Sequence, residues 1–394
     1  MTELVHDLWS RISPERLRDL TLELVRIPSP TADSAAVTRH YAEQIGAIGL
    51  PVEFVLDFAH SPSTIARLGS HVGGRTLTLD GHLDTIHASH VPPYLENGRI
   101  FGRGAGDMKS GVAVMVEVAR VLVEAQAPLA GNLVLATHSL HEAPVGNMEG
   151  LKALIARGDV FVDAALVLEG GFDELAIRGK GQALYELDIW RDGEVMHENA
   201  ARPRGVANPL HYATALCHRF LERHEELAQA RESLLGPETL FIGQIHGGDF
   251  YNRVPTRAFL NGTYRYWPDK SWEDVEAEFQ RLLASVERPD DIHTELRLLS
   301  NGLGYAIEPD AAIAESLRRA YRQVVGQDLP DTGAQSVSDV NIIARQAGIP
   351  VVAHGTGSTT AHADLESVAV DDIVRTTRVV LAAIVDFLGV EESA

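Results

Sequence analysis

The 394-residue sequence holds one cysteine, Cys217. It cannot close an internal disulfide, so the small disulfide-stapled secreted class is excluded. Basic residues are also scarce: 34 Lys and Arg against 55 Asp and Glu leave a formal charge of −21. A surface of that sign repels phosphate backbones and anionic lipid, so neither nucleic acid nor a membrane is the expected partner. No run approaches the roughly 18 apolar residues of a membrane span. The first residues carry Glu3, Asp7 and Glu15 among their apolar side chains and lack the basic start and apolar stretch of a signal peptide. The expected location is the cytoplasm. There is no internal repeat, no low-complexity tract and no cofactor-like cluster of Met and aromatic residues. What is present is a core-forming composition, 45% hydrophobic and 23% charged, which excludes disorder, and the length suggests two domains or three.

The first half alternates short apolar runs with helical periodicity, the pattern of a mostly parallel sheet with crossover helices. Leu77 and Leu79 lie in a strand-like run ending at Asp80-Gly81-His82. Val114, Met115, Val118, Val121 and Leu122 recur at helical spacing after Asp107. Leu133-Val134-Leu135 runs toward His141 and Glu142, and residues 164–168 form a buried-type strand ending at Glu169. The middle reads differently. Strand patterns at 183–190, 239–245, 257–267 and 293–299 enclose two helices, one opened by Asn208-Pro209 and one by Ser271 with Asp274 three residues on. That order, βαββαβ, predicts a ferredoxin-like α+β insertion. The α/β pattern then resumes through 348–352 to a final amphipathic helix. The expected domains are 1–178 and 299–394 for the α/β part and 179–298 for the insertion.

Polar residues collect where the strands stop. In an open α/β sheet those ends share one crevice, so His82, Asp107, Glu142, Glu169 and His362 are expected to converge there. Two imidazoles and three carboxylates form a mixed nitrogen and oxygen set suited to Zn, Mn or Co. Gly102-Arg103-Gly104-Ala105-Gly106-Asp107 is only superficially a dinucleotide fingerprint: its third glycine is misplaced and no strand runs into it. An acidic residue at that helix start repels phosphate and suits a cation.

Gly81-His82-Leu83-Asp84-Thr85, residues 102–111 and Ala361-His362-Ala363 together resemble the M20 metallopeptidases. These are co-catalytic zinc enzymes that include aminoacylases, glutamate-releasing carboxypeptidases, succinyl-diaminopimelate desuccinylase and N-carbamoyl amino acid hydrolases. The resemblance covers nearly the whole chain. It implies a zinc-peptidase-like catalytic fold interrupted by a lid and dimerisation domain, a homodimer, and one or two divalent ions. It makes Asp107 the bridging carboxylate, Glu142 and His362 ligands of one ion, and His82 with Glu169 ligands of the other, with Asp84 holding the His82 ring. A hydroxide shared by the ions is then expected to attack an amide or other C–N bond of a small carboxylate-bearing substrate.

The chain departs from the family at the catalytic base. Where the family has two consecutive glutamates, this sequence has His141-Glu142, followed by Ala143-Pro144-Val145 in place of the usual glycine. A neutral imidazole can accept a proton, so His141 can serve as the base; it can also be an extra ligand, or Glu142 can be the base of a single-metal site. Some relatives hydrolyse an amino group on an aromatic ring, as in 5-nitroanthranilate aminohydrolase, and that reading stays open, as does an inactive relative that only binds a ligand. In the insertion, His197 stands where the family places a histidine that reaches across the dimer. Asn252 and Arg265 resemble its substrate-carboxylate contacts, Arg being suited to bidentate carboxylate bonds. Arg103 and Lys109 are expected to brace the Asp107 turn, and His90 and His138 are read as structural or surface groups.

Overall fold

The apolar runs of the first half assemble into a six-stranded sheet in the order Val52–Val55, Ser63–Leu68, Asn132–His138, Thr76–His82, Ala164–Val167, Val351–Ala353. The last four are mutually parallel, and the first two add an antiparallel edge. The computed structural model describes residues 2–69, 73–142 and 145–391. Its chain divides into two compact units: Met1–Ile177 with Ile307–Thr332 and Ile342–Ala394, and Arg178–Ala306 with Gly333–Asn341.

In the first unit the central strands are buried along nearly their whole length, as expected of parallel strands covered on both faces. The helix Ser110–Glu124 is buried on almost every side. It packs on the strand Thr76–His82 and against the helices Pro14–Arg26 and Val370–Leu388, which explains its nearly continuous Val and Ala content. Ser13 caps Pro14–Arg26 by accepting the Arg16 N–H, with Pro14 in the first turn. His82 and His138 lie opposite each other in the parallel register, so the segments leaving both strands emerge at one edge. Among the described residues no helix is long and apolar enough to cross a membrane.

The second unit is a four-stranded antiparallel sheet in the order Thr239–Gly247, Arg257–Tyr266, Gly181–Arg191, Ile292–Gly302. Helices Pro209–Leu227 and Trp272–Ala284 complete the βαββαβ arrangement. Asn208 accepts the Leu210 N–H, and Ser271 and Asp274 form a reciprocal capping box. Tyr185, Leu187, Phe220, Leu260, Tyr264 and Phe279 lie at the centre of its core. The strand expected to close this unit at 299 continues to Gly302, and residues up to Ala306 stay with it. Gly333–Asn341 returns to it as well, because the Lys180 N–H donates to the Ala334 carbonyl and the Asn341 amide donates to the Lys180 and Leu303 carbonyls.

One glycine shows how tightly the first unit is closed. A Cβ on Gly111, in the first turn of Ser110–Glu124, would lie 1.9 Å from the Leu168 carbonyl oxygen. Gly46, in helix Ala35–Ala47, has open space there. Gly111→Ala should therefore cost about 1–3 kcal/mol by overpacking and lower the thermal midpoint by several degrees. Gly46→Ala should leave it equal or slightly higher, because alanine is the better helix former. Equal midpoints for the two variants in one calorimetric comparison would contradict this packing.

Candidate metal centre

His82 ends its strand with a fully buried ring. Its Nδ1 lies 3.0 Å from the Asp84 backbone carbonyl oxygen. A carbonyl only accepts, so Nδ1 carries the proton and Nε2 is the nitrogen free for a ligand. Nε2 lies 3.0 Å from Oδ1 of Asp107. The other oxygen, Oδ2, lies 3.2 Å from Nε2 of His362, and that nitrogen is also 3.0 Å from Oε1 of Glu142. One carboxylate thus stands between two imidazoles.

The backbone brings these groups together by unusual turns. Gly104 takes a left-handed conformation just before Asp107. Leu140 and His362 do so as non-glycine residues, with φ of 59° and 61°, a conformation that costs on the order of 1 kcal/mol and collects at functional sites. Burial alone would raise the Asp107 pKa, but hydrogen bonds from His362 and His82 outweigh it and hold this carboxylate well below its usual range. For His82, burial opposes the charged ring; the hydrogen bond and charge of Asp107, with the charges of Asp84 and Glu169, outweigh it and raise its pKa well above 6.5. His362, half exposed, is raised to about 10 by its hydrogen bonds to Asp107 and Glu142.

The donor atoms form two sets. Asp107, Glu142 and His362 offer ligand atoms within 4.8 Å of one another, and so do His82, His141 and Glu169. His141 is thereby added to the second set: its ring stacks on His82 at 3.9 Å between centroids, 5° from parallel. Residues 143 and 144, in the segment that replaces the family glycine, lie outside the described residues.

Asp84 does hold the His82 ring, but through its backbone. Its carboxylate is 3.8 Å from the His82 Nδ1, and the ring is held instead by its backbone carbonyl. The carboxylate accepts the His141 N–H at 3.0 Å and the Glu142 N–H at 3.3 Å, so it orients the neighbouring turn. Thr31 donates its hydroxyl to the same carboxylate at 2.9 Å; the run Pro28-Ser29-Pro30-Thr31 carries no signal of this in sequence. Lys109 braces the Asp107 turn by donating to the Leu24 and Ile27 carbonyls at the end of Pro14–Arg26. His138 is fully buried, 3.5 Å from Asp80.

In the second unit His197 and Asn252 meet, with the Asn252 amide 2.9 Å from Nε2 of His197. Asn252 makes this contact through its Nδ2, and the His197 Nδ1 accepts the Asn199 N–H. Asn252 lines a cavity of about 890 Å³ together with Arg202, His211, Tyr251 and Arg253. Arg265 is elsewhere, donating to the Gln335 carbonyl at 2.8 Å. His197 pairs with Arg253, ahead of the strand Arg257–Tyr266. From Arg257 to Arg265, at about 3.3 Å per residue, the chain covers about 26 Å. Arg265 and His197 of one chain therefore do not meet in the second unit.

The model of peptidase family M20/M25/M40 matches residues 78–386. The chain belongs to this family. Solved structures with this M20 fold include aminopeptidase PepT from Bacillus cereus ATCC 10987, 23% identical, with a TM-score of 0.80 over 96% of this chain and 99% of that one. A tripeptidase (SAV1512) from Staphylococcus aureus subsp. aureus Mu50 is 22% identical, with a TM-score of 0.77 over 95% and 98%. The YXEP protein of Bacillus subtilis, described as a dinuclear metal-binding M20 peptidase, is 14% identical, with a TM-score of 0.68 over 94% and 97%. The M20 chain described here is a metallohydrolase acting on C–N bonds of the peptide or amide kind, and its clustered imidazoles and carboxylates fit a divalent metal.

In the metal-free M20 protein the raised pKa values keep protons on His82 and His362, and an ion bound through these rings would have to displace them. Because both pKa values are raised, the apparent affinity for Zn²⁺ or Mn²⁺ should climb as pH rises toward about 10, the value for His362. Calorimetric titration in buffers of different ionisation enthalpy should detect proton release on binding. An affinity indifferent to pH over that range would rule out these ring and carboxylate contacts in the metal-free state.

Proposed function

We propose that this M20 enzyme hydrolyses an amide or other C–N bond of a small carboxylate-bearing substrate, with His82, Asp107, Glu142, Glu169 and His362 holding one or two ions of Zn, Mn or Co. The observation that carries the reading is the Asp107 carboxylate between the His82 and His362 imidazoles. When bound, the metal supplies a water of lowered pKa and positive charge opposite the developing oxyanion. The chain's own groups do the rest. The Asp84 carbonyl aims His82, the Asp84 carboxylate fixes the His141 and Glu142 backbone, and the His141 imidazole accepts the proton of the attacking water. Short peptides are the first substrates to test, since an aminopeptidase and a tripeptidase share this fold; N-acyl and N-carbamoyl amino acids and aminobenzoates complete the panel.

A second reading of His141, as a third donor beside His82 and Glu169, is favoured by the compact set these residues form. The two readings separate experimentally. As a base, His141→Ala should lower kcat by about 10²–10⁴ with metal content unchanged; as a ligand, the same variant should lose bound metal by elemental analysis. Chelation should abolish turnover and added metal restore it, and full turnover in metal-free protein would contradict the proposal.

The chain is further proposed to work as a homodimer in which His197 and Asn252 serve the site of the other copy, while Arg265 binds the substrate carboxylate. The separation of Arg265 from His197 within one chain supports this division. Mixing inactive His141→Ala and His197→Ala proteins should then regenerate activity, since a hybrid dimer contains one complete site. Absence of recovery in hybrids verified by native mass spectrometry would overturn the exchange.

A further inference from the structure

One buried carboxylate near the centre is not among the candidate ligands. Glu366 is fully buried, four residues beyond His362. Its Oε1 accepts the backbone N–H of Gly106 at 2.8 Å and of Asp107 at 3.0 Å. Its Oε2 accepts from Nη1 of Arg103 at 2.8 Å, and Arg103 reaches on through Nη2 to the Ala363 carbonyl at 3.0 Å. The backbone is engaged on both sides as well. The Glu366 carbonyl accepts the Gly102 N–H at 3.1 Å, and its N–H donates to Nε2 of His90 at 2.8 Å, a bond that requires this nitrogen to be unprotonated. A single residue thus joins the 102–107 turn, the loop carrying His362 and the segment at His90.

We propose that Glu366 is a positioning residue that locks the Asp107 turn to the His362 loop and so sets the spacing of these two side chains for metal binding. This rests on the metal-dependent reading above and adds to it a determinant of affinity. The argument is one of geometry and of charge. An isolated buried carboxylate is costly, and here two backbone N–H groups and one guanidinium compensate it. The bonds are made to the peptide N–H of Asp107 itself, so any rotation of that peptide swings the carboxylate that lies between His82 and His362. Close approach of the two segments is built into the backbone: a Cβ on Gly106 would lie 2.4 Å from Oγ of Ser358, and that hydroxyl donates to the Ser367 carbonyl. The left-handed backbone of His362 is held within the same loop. Asp84 plays the matching part on the other turn, through the N–H groups of His141 and Glu142. Glu366 touches neither imidazole and acts through Asp107.

The test compares wild type with Glu366→Ala, Glu366→Gln and Arg103→Ala. Zn²⁺ and Co²⁺ affinities of the full-length metal-free proteins are measured by calorimetry, the visible spectrum of the Co²⁺ forms is recorded, and melting curves establish that each variant is folded at the titration temperature. Glu366→Ala should weaken binding by about 10–100-fold and shift the Co²⁺ bands. Glu366→Gln keeps an oxygen for the two N–H groups and loses only the ionic bond to Arg103, so it should fall by a few-fold, as should Arg103→Ala. A folded Glu366→Ala protein with wild-type affinity and an unchanged Co²⁺ spectrum would overturn the positioning role, leaving Glu366 as a fold-stabilising residue. Should Glu366→Ala not fold, wild-type affinity in both other variants would overturn it equally. If wild type itself takes up neither ion, the metal-dependent reading is what fails.

Discussion

The carboxylates of Asp84, Asp107, Glu142, Glu169 and Glu366 gather at one edge of a buried sheet, and such a group coexists only where positive charge or N–H groups are supplied among them. The low dielectric that makes each contact strong also makes each uncompensated charge costly. The structure divides the compensation by role. Asp84 and Glu366 are neutralised by backbone N–H groups, with Thr31 and Arg103 as further partners. Asp107 and Glu142 face imidazoles. In the metal-free state protons on His82 and His362 carry that positive charge. The raised pKa values of the rings and the fitness of the site for metal have the same cause.

This division also gives each group of the centre its own support. His82 is fixed by a carbonyl, the His141 and Glu142 turn by Asp84, and the Asp107 turn by Lys109 and Glu366. None of these supports depends on a group that must later move a proton. His362 is the half-exposed member, set on a left-handed residue in a loop. The second unit follows a different logic. Its antiparallel sheet and two capped helices form their own core, and His197 and Asn252 meet at a short antiparallel pairing of two segments distant in sequence, where Asn252 lines a cavity. Long strands hold Arg265 away from that pair, so an element whose local packing is simple carries polar groups at separate ends.

Much of this was legible in the chain. Short apolar runs and helical spacing marked the parallel strands and the long buried helix, because burial on both faces leaves little room for polar residues. The N-caps at Asn208 and Ser271 announced the two helices of the insertion. His82, Asp107, Glu142, Glu169 and His362 could be nominated because strand ends in such a sheet open on one crevice. The strand ending at Gly302 was placed too short because its polar, half-exposed residues dilute the alternation. The return of Gly333–Asn341 to the second unit was invisible, since it rests on hydrogen bonds to Lys180 and Leu303 far away in the chain.

The sequence by itself determined the two kinds of architecture, the donor types and the His141 substitution, since composition, periodicity and local motifs are properties of neighbouring residues. Tertiary structure alone decided which carboxylates face imidazoles and which face peptide N–H groups. The Asp84 bonds to His141 and Glu142 span 57 and 58 residues, and the Glu366 bonds to Gly106 and Asp107 span 260 and 259. No local pattern encodes partners so distant. Whether a buried carboxylate stands among the candidate ligands or supports them is settled by which polar groups the folded backbone turns toward it.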